Sequence, residues 1–395
     1  MESRTVKLGD IADITTGKTP SKRIENAYGN VIKFLTPRDF NGRFSVTTER
    51  MLSDQGYQAV HNKVVSGPSV SVTCIGSDMG KVIYNRESVV TNQQVNTLSN
   101  FKSNTDPLFL YYLLSTKKKE LLNYGAGNGS TMPIITKSMF SQLEIKLPSV
   151  KVQRKLVACL NPLDDKIELN RQINKNLLRL MSVQWNKLFG SLNAENGHFT
   201  DLATITAGGT PSKKNDDYFG GDISWITPKD MSLTNDVFIE RGALNITDAG
   251  LKGSSAKLLP KGTLLFSSRA PIGYLGIAAN PVTTNQGFKS LVPKRDENTE
   301  YLYFLLINLT SYIEGIAGGS TFKEISGAGM KSVEFPLPTN NQIDAFHNQV
   351  APMFDLVKNN ERQNKNLTKL RNLLLPKLLA GDIDLSNIEM VMNNA

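Results

Sequence analysis

The chain has 395 residues, 39% of them hydrophobic and 21% charged, and a formal net charge of +9 at pH 7. This composition excludes an intrinsically disordered chain, because such chains have too few apolar residues to bury a core. The positive charge favours a polyanionic partner, and it is uneven. Residues 1–190 hold 26 of the 45 Lys and Arg side chains but only 15 of the 36 Asp and Glu side chains.

The cysteine count and the apolar runs indicate where the protein works. Cys74 and Cys159 are the only cysteines, too few for a disulfide framework and typical of a reducing compartment. The N-terminal MESRTVKLGD lacks the apolar segment of a secretion signal. The longest apolar run, Tyr301–Leu309, is far shorter than the ~20 residues needed to cross a bilayer. These features predict a soluble, cytoplasmic protein.

In chain order the sequence predicts four segments. Residues 1–148 form a globular domain with strands at SVSVTCI and KVIYN and a helix at YYLLSTKKKELLN. Residues 149–190 form a long helix. Residues 191–338 form a second globular domain, with a strand at TLLFSS and a helix at YLYFLLINLTSYI, and residues 339–395 form a second long helix and a C-terminal tail. The predicted fold class is therefore α/β or α+β, with two globules separated by two long helices.

Both long helices carry apolar residues in heptad spacing, which predicts a coiled-coil-like pair. Because a globule lies between them in the chain, we expect the pair to be antiparallel. Asparagines interrupt the pattern at the same place in each helix: Asn170 and Asn174 in the first, Asn360 and Asn364 in the second. Buried asparagines in such a seam cost stability but fix register, whereas solvent-facing ones would not; the pattern leaves both open. The apolar seam residues are Leu156, Leu160, Leu163, Ile167, Leu177, Met181 and Leu188, then Phe346, Val350, Met353, Val357, Leu367, Leu374 and Leu378.

A proline lies at the equivalent position of each predicted helix, Pro162 and Pro352. Proline removes one backbone hydrogen bond and kinks or restarts a helix. We therefore expect a short helix, a kink and then a long helix in both places. Forty helical residues would span about 60 Å.

The second half of the chain repeats the first half. ITTGKTPSKRIENAYGNVIKFLTPRDF (Ile14–Phe40) matches ITAGGTPSKKNDDYFGGDISWITPKDM (Ile205–Met231). EIKLPS later matches EFPLPT, and NKNL at Asn174–Leu177 recurs 190 residues further on at Asn364–Leu367. A chain duplicated over its whole length has internal pseudo-two-fold symmetry and suits a partner that presents two similar sites.

The sequence contains no recognisable catalytic motif. GAGNG (Gly125–Gly129) follows a predicted helix instead of the strand that an S-adenosylmethionine loop needs. NPLD (Asn161–Asp164) lacks the second proline and the aromatic residue of an adenine methyltransferase motif. The P-loop pattern is missing, and the three histidines are distant in sequence from one another and from both cysteines. We therefore predict neither catalysis nor a bound metal or cofactor.

The ordered set of motifs resembles the specificity (S) subunit of type I restriction-modification systems, over nearly the whole chain. Each motif alone is weak, but the set occurs twice in the same order. The motifs are LGDIADITTGKTPS, LATITAGGTPS, WITPKD, SSRAPIG (Ser267–Gly273), the NQ pairs at Asn92-Gln93 and Asn285-Gln286, and PLDDKIELNRQINKNL (Pro162–Leu177).

The resemblance implies a recognition subunit without catalysis of its own. Each globule would be a target recognition domain that reads one half of a split, asymmetric site in double-stranded DNA. The helices would set the spacing and dock two methyltransferase (modification) subunits, and through them the restriction subunits. Those partners would bind S-adenosylmethionine, ATP and Mg²⁺. The alternative is a symmetric scaffold that pairs two partner subunits without binding DNA.

The predicted DNA contacts are polar and basic side chains on the repeated loops and where the repeats differ. Hydroxyls and cations on Gly-Pro loops suit phosphate, whereas Arg, Asn and Gln suit base edges. Because the two repeats should read different half-sites, we assign the shared strings to scaffold or phosphate contact and base reading to differing residues. The contacts in the first repeat are Thr19, Ser21, Lys22, Arg23, Arg38, Arg43, Ser77, Lys81, Asn92 and Gln93. Those in the second are Thr210, Ser212, Lys213, Lys214, Lys229, Arg269, Asn285, Gln286 and Lys289, and further candidates are Lys33, Asp78, Arg86, Ser268 and Tyr274.

Overall fold

The structure, a computed structural model, describes residues 2–44, 48–127, 132–319 and 323–384. The predicted tail beyond residue 384 and the end of the GAGNG string lie outside these ranges. Contacts divide the chain into two compact units, Met1–Ile167 with Asn366–Ala395, and Glu168–Lys365. Each unit contains one globule and parts of both long helices.

The first unit combines two sheets, a two-stranded ribbon and short helices. A four-stranded antiparallel sheet has the order β2-β8-β5-β6, a mixed sheet has the order β4-β3-β7, and β1 pairs with β9. In chain order the elements are β1 (Ser3–Lys7), α1 (Leu8–Ile11), β2 (Asp13–Thr16), β3 (Tyr28–Leu35), β4 (Arg50–Leu52), α2 (Asp54–Ala59), β5 (Ser69–Thr73), β6 (Val82–Asn85), β7 (Val90–Thr91), β8 (Val95–Ser99), α3 (Pro107–Ser115), α4 (Lys118–Ala126), α5 (Lys137–Gln142) and β9 (Glu144–Pro148), followed by the long helix α6 (Val150–Phe189).

The predicted strands SVSVTCI and KVIYN are confirmed as β5 and β6. The single helix predicted at YYLLSTKKKELLN is wrong, because the chain breaks there into α3 and α4. The hydroxyls of Ser115 and Thr116 donate to the carbonyls of Tyr112 and Leu113, at 2.7 and 2.8 Å. Such hydroxyls compete with the backbone for the carbonyls at a helix end.

The second unit repeats this plan. Its larger sheet has the order β11-β18-β15-β16-β13, its mixed sheet has the order β14-β12-β17, and β10 pairs with β19. The elements are β10 (Asn196–His198), α7 (Phe199–Leu202), β11 (Ala203–Ala207), β12 (Phe219–Ile226), α8 (Pro228–Ser232), β13 (Phe238–Ile239), β14 (Leu244–Ile246), α9 (Asp248–Lys252), β15 (Leu264–Ser268), β16 (Ile272–Ala278), β17 (Thr283–Thr284), β18 (Lys289–Pro293), α10 (Asn298–Ile316), α11 (Gly327–Lys331) and β19 (Glu334–Pro336), followed by the long helix α12 (Asn340–Ala380). The mixed α/β fold class and the predicted elements at TLLFSS and YLYFLLINLTSYI are confirmed.

The long helices are not divided at their prolines, so the predicted division into a short helix and a long helix is wrong. Helix α6 runs through Pro162 without interruption, and α12 likewise runs through Pro352. Leu160 and Asp164, on either side of Pro162, are buried in the first unit. Packing on both sides outweighs the cost of about 3 kcal/mol for a proline inside a helix.

In the second unit the asparagines form a buried layer between α6 and α12. The Asn170 amide donates to the Asn364 side chain at 2.9 Å, and Asn360 donates to Asn174 at 2.8 Å. Asn174 also donates to the carbonyl of Val357 at 3.2 Å. Asn170 is fully buried, and Asn174 and Asn360 are 8% exposed, so these side chains face the partner helix and not water. Later positions pair with earlier ones, so the helices are antiparallel here.

The apolar seam continues on both sides of this layer. In the first unit Leu156 and Leu160 share a core with Leu375 and Leu378. At the end of α6 the seam differs from the prediction, because Leu188 is 42% exposed. The seam there consists of Trp185 and Phe189, and the other predicted seam residues that are buried are Ile167, Met181, Phe346, Val350 and Val357. Leu177 and Leu367 are half-buried.

The two units differ in how the ends of the long helices are packed. In the second unit the Phe189 ring lies 4.9 Å from Tyr301 and 5.6 Å from Phe346, centroid to centroid. The repeat places smaller or differently shaped residues, Leu379, Phe109 and Leu156, at the equivalent positions of the first unit. These three side chains line a groove of about 760 Å³. The groove marks the place where the second unit has its aromatic cluster.

Replacing Leu379 with phenylalanine is expected to stabilise the first unit by about 0.5–2 kcal/mol, because the added ring fills part of this groove. Urea unfolding followed by circular dichroism would measure the shift in midpoint. Leu188→Phe is the control, since that position points to solvent on α6. An unchanged midpoint for Leu379→Phe would show that the groove is not a packing defect.

Among the described helices, none combines the length and the apolar character needed to span a bilayer.

Candidate nucleic-acid interface

The TPSK loop and the NQ pair, far apart in sequence, are joined by a side-chain hydrogen bond in both units. Thr19 Oγ1 donates to Gln93 Oε1 at 2.7 Å in the first unit. Thr210 donates to Gln286 in the same way in the second. The structure therefore brings two of the predicted DNA-contacting strings together, twice.

The asparagine of each NQ pair holds a turn. Asn92 Oδ1 accepts the backbone N–H of Gln94 at 3.1 Å, and Asn285 Oδ1 accepts that of Gly287 at 2.9 Å. The Asn92 amide donates to the Gln94 side chain at 2.9 Å, and Asn92 is only 8% exposed. Both Oδ1 atoms hold the turn, so we assign Asn92 and Asn285 to the scaffold of the loop and not to base reading.

The loop approaches this turn so closely that only glycine fits. A Cβ on Gly17 would lie 2.1 Å from the carbonyl oxygen of Thr91, and one on Gly208 would lie 2.0 Å from that of Asn285. Backbone atoms cannot give way at these distances, so the glycine before each TPS string is a requirement of packing. The adjacent backbone is held by matching hydrogen bonds, from Lys18 to Thr91 and from Gly209 to Thr284.

The TP(R/K)D strings form capping boxes. Asp39 Oδ2 accepts the N–H and the hydroxyl of Thr36 at 2.7 and 2.9 Å. Asp230 does the same for Thr227, at 2.8 and 2.6 Å. The aspartate thereby fixes the first turn of the short helix that follows, and leaves the neighbouring Arg38 or Lys229 exposed.

In the first unit the TPRD capping box and the NQ turn line a concave site of about 520 Å³, which we call the recognition cleft. Four of its lining residues were predicted as DNA contacts: Arg38, Ser77, Asp78 and Asn92. The Arg38 side chain is 82% exposed, with Glu49 of the same cleft 3.8 Å away. The other lining residues are Thr36, Pro37, Arg50, Ile75, Gly76, Gln94 and Met132.

The corresponding strings also meet in the second unit. A Cβ on Gly287 would touch the Pro228 ring at 3.0 Å, and the Gly287 carbonyl accepts the N–H of Ser268 at 2.7 Å. The NQ turn thus links the TPKD string to SSRAPIG. The next residue, Arg269, forms an ion pair with Glu324 at 3.1 Å.

The TPSK loops present exposed cations. Lys22, Arg23, Lys213 and Lys214 are all exposed, as are Ser21 and Ser212. Each serine accepts a backbone N–H two residues later, at 3.3 Å in the first unit and 3.4 Å in the second. The same turn therefore orients basic side chains towards solvent in both units, as phosphate contacts require.

Two side chains that were predicted to contact DNA, those of Arg43 and Ser268, are buried, and we exclude them. Arg43 is 7% exposed and donates to Asp165 at 3.0 Å and to Asn161, both on α6. An arginine held in the interior cannot reach a base edge. Ser268 is fully buried and is excluded for the same reason.

Other predicted cations are engaged in ion pairs. Lys81 lies 2.8 Å from Asp78. Lys289, whose side chain is 12% exposed, lies 3.5 Å from Glu324. Lys33 likewise pairs with Glu87 at 3.2 Å, Arg86 pairs with Asp165 at 3.5 Å, and Tyr274 packs against the apolar core of the second unit.

Sequence reasoning missed Arg50, which lines the recognition cleft. Its guanidinium carbon lies 5.2 Å from the centre of the Tyr28 ring. The sequence alone did not reveal it, because Arg50 lies 11 residues after Asp39 whereas its counterpart in the second copy, Leu244, lies 14 residues after Asp230. Within the described residues, no cluster of His, Cys, Asp and Glu could hold a metal ion.

One carboxyl group with a shifted pKa joins α12 to the second globule. Glu361, 6% exposed, accepts the backbone N–H groups of Val237 and Phe238 at 2.7 and 3.0 Å. Burial raises the pKa of Glu361 to about 7, Asp236 adds to the rise, and the two N–H groups and Lys365 oppose it. Glu240 also faces this site, 3.3 Å from the Lys365 ammonium.

Because this pKa is raised above its ordinary value of 4.5, the carboxyl stabilises the fold fully below about pH 4.5. That contribution is lost as the pH rises through about 7. We expect Glu361→Gln to remove on the order of 1–3 kcal/mol of this pH dependence of unfolding. Urea unfolding between pH 5 and 8 would measure it, with Glu240→Gln as control. Parallel curves for Glu361→Gln and wild type would contradict the assignment.

Comparison with known proteins identifies the family. The profile of the type I restriction modification DNA specificity domain matches residues 2–179 and, a second time, residues 193–369. The chain belongs to this family. Its relatives are named as specificity subunits of type I restriction enzymes. The chain is therefore a non-catalytic subunit of a type I restriction-modification system.

Relatives of this specificity subunit are similar over different lengths. It is 41% identical over 196 residues to the type I restriction enzyme MjaIX specificity subunit of Methanocaldococcus jannaschii, a match covering 49% of this chain and 45% of that subunit. It is 25% identical to the HindI specificity subunit of Haemophilus influenzae, covering 95% of this chain and 98% of that one. The crystal structure of the type I S subunit from M. genitalium has the same fold, with a TM-score of 0.57, 17% identity and 96% of each chain covered.

Proposed function

We propose that this specificity subunit reads a split, asymmetric target in double-stranded DNA, one half with each unit. The observation that carries the proposal is that the same recognition region is built twice, once in each unit. In both units a TPSK loop bonded to an NQ turn adjoins a TP(R/K)D capping box. The scaffold is the same, but the side chains it presents differ, as expected for two sites that read different sequences.

The shared loops are assigned to phosphate. Their exposed cations, Lys22, Arg23, Lys213 and Lys214, suit backbone contact, which positions a protein without reading sequence. The remaining proposed contacts are Thr19, Ser21, Arg38, Ser77, Gln93, Thr210, Ser212, Lys229, Arg269 and Gln286. Because residues 1–190 carry the positive excess, binding by the first unit should be the more sensitive to salt.

The long helices carry exposed apolar residues at equivalent positions. Leu180 and Val183 of α6 are 47% and 59% exposed, and Leu370 and Leu373 of α12 are 43% and 58% exposed. The two pairs are 190 residues apart, like the asparagines of the seam. The two residues of each pair lie about one helical turn apart, on a side of the helix that faces solvent. We assign them to the docking of two methyltransferase subunits, one to each pair.

The chemistry belongs to those partners in this proposal. The methyltransferase subunits bind S-adenosylmethionine, and the restriction subunits, which join through them, use ATP and Mg²⁺. This chain contributes selection of the site, and the long helices set the distance between the half-sites. The complex works in the cytoplasm, where its DNA substrate is found.

Methylation mapping in a host that expresses this chain with its partners tests the proposal. The expected result is a two-part adenine-methylated motif with a spacer of constant length, lost when this chain is deleted. A methyltransferase that keeps its motif without this chain would refute the proposal. Stable pairing of two partners with no selective binding of any duplex would support the alternative of a scaffold that does not bind DNA.

A further inference from the structure

Positions 50 and 244 are the same place in the two units. Arg50 lies opposite Phe34 where β4 pairs with β3. Leu244 lies opposite Trp225 where β14 pairs with β12. In both cases the residue is the first of its strand. Strand register, and not only sequence alignment, makes these two residues equivalent.

The aspartate that both capping boxes share anchors the residue just before each of them. The backbone N–H of Glu49 donates to Asp39 Oδ1 at 2.8 Å. The N–H of Ala243 donates to Asp230 Oδ1 at 2.9 Å. Since the other oxygen of each carboxylate caps the short helix, one side chain fixes the helix and the strand start together. The TP(R/K)D string therefore holds the next side chain, at position 50 or 244, in a defined place.

The side chains at this place have different chemistry. Arg50 is exposed, lines the recognition cleft with Arg38 and Ser77, and has its guanidinium over the Tyr28 ring at 5.2 Å. Stacking restrains the plane of the guanidinium and leaves its N–H edge available for hydrogen bonds. Leu244, 52% exposed, offers only methyl groups.

We infer that position 50/244 determines specificity: Arg50 reads a guanine in one half-site, and Leu244 contacts the 5-methyl group of a thymine in the other. Guanine presents O6 and N7 to a forked donor, and among the four unmodified bases only thymine presents a methyl group in the major groove. The inference rests on the proposed function, because it requires duplex DNA at the cleft. Because the shared aspartate holds either side chain in the same place, one scaffold can present side chains that prefer different bases.

The first test exchanges the two side chains in the full chain assembled with its methyltransferase subunits. Competition binding compares the target duplex with each single base-pair substitution. Arg50→Leu should lose about a 5- to 150-fold preference for one G·C pair, in one half-site only. Leu244→Arg should change the preferred base pair at one position of the other half-site. Each variant is the control for the other, because each should leave the opposite half-site unchanged.

The second test uses the wild-type protein and altered DNA, so it does not depend on variant folding. 7-Deazaguanine removes N7, and uracil in place of thymine removes the methyl group. We expect one sensitive guanine and one sensitive thymine, the latter by about fourfold. Leu244→Ala should abolish the sensitivity to uracil, and Arg50→Leu the sensitivity to 7-deazaguanine.

Retention of the wild-type preference at every base pair by Arg50→Leu and Leu244→Arg would overturn the inference and leave the proposed function intact. Insensitivity of the wild-type complex to both altered bases would do the same. A complex that selects no duplex at all would refute the proposed function, and the inference with it.

Discussion

Replacing Asp39 with alanine is expected to abolish recognition of one half-site while leaving the other intact. The carboxylate accepts three hydrogen bonds, two from Thr36 and one from the N–H of Glu49. Asp39 is 8% exposed, so the released N–H groups are left without their charged acceptor. Hydrogen bonds to charged groups contribute about 1.5–3 kcal/mol each, and we expect a local loss of about 2–4 kcal/mol.

Hydrogen exchange would measure this loss as faster exchange of the amides of β3 and β4, and competition binding would measure the loss of selectivity. Asp230→Ala is the matched control, because it removes the equivalent contacts in the second unit. It should produce the same defect in the other half-site. Asp39→Asn keeps the shape of the side chain and should fall between wild type and alanine. Full selectivity of Asp39→Ala would show that the capping box does not support recognition.

The paired substitution Leu370→Asp with Leu373→Asp is expected to remove one methyltransferase subunit from the complex. Burying two carboxylates in an apolar interface is costly unless they are paired. Both positions are exposed, so the chain itself should fold normally. Native mass spectrometry would measure the number of bound subunits. Leu180→Asp with Val183→Asp should give the same stoichiometry, with the other subunit missing.

Leu233→Asp is the control for added charge, because Leu233 is 75% exposed and belongs to the second globule instead of a long helix. Two bound subunits in both paired variants would exclude these four residues as docking residues. Deleting the chain after residue 338 is a less informative test. It removes Arg371, which lies 2.6 Å from the buried Asp164, and Leu378, which belongs to the core of the first unit. Loss of docking would then be inseparable from loss of packing.

The features that followed from the sequence are those encoded by local pattern. The repeat, the strands at SVSVTCI and TLLFSS and the heptads are readable because side-chain periodicity reports which face is buried. The asparagine layer was visible as an interruption of that period. Whether it faced the partner helix or water depended on contacts between residues such as Asn170 and Asn364, 194 positions apart.

The features that did not follow depend on tertiary contacts. Arg43 resembles a DNA contact in sequence, but its partner Asp165 lies 122 residues away on α6. The break between α3 and α4 reflects the hydroxyls of Ser115 and Thr116, which favour a helix end without forcing it. Arg50 was missed because a single arginine on a short strand has no local signature. Its importance emerges only when the register of both sheets is compared.

Because each capping aspartate bonds both the short helix and the start of the next strand, the loop between them can vary in length without moving that strand. Asp39 is bonded to a backbone N–H ten residues later, whereas Asp230 is bonded to one thirteen residues later. The intervening chain is three residues longer in the second unit, yet in each unit a single carboxylate holds both of its ends. Segments of different length and sequence can therefore be exchanged between these two anchor points without displacing the strand that follows. That makes the stretch after each TP(R/K)D string a natural graft point for altering target preference.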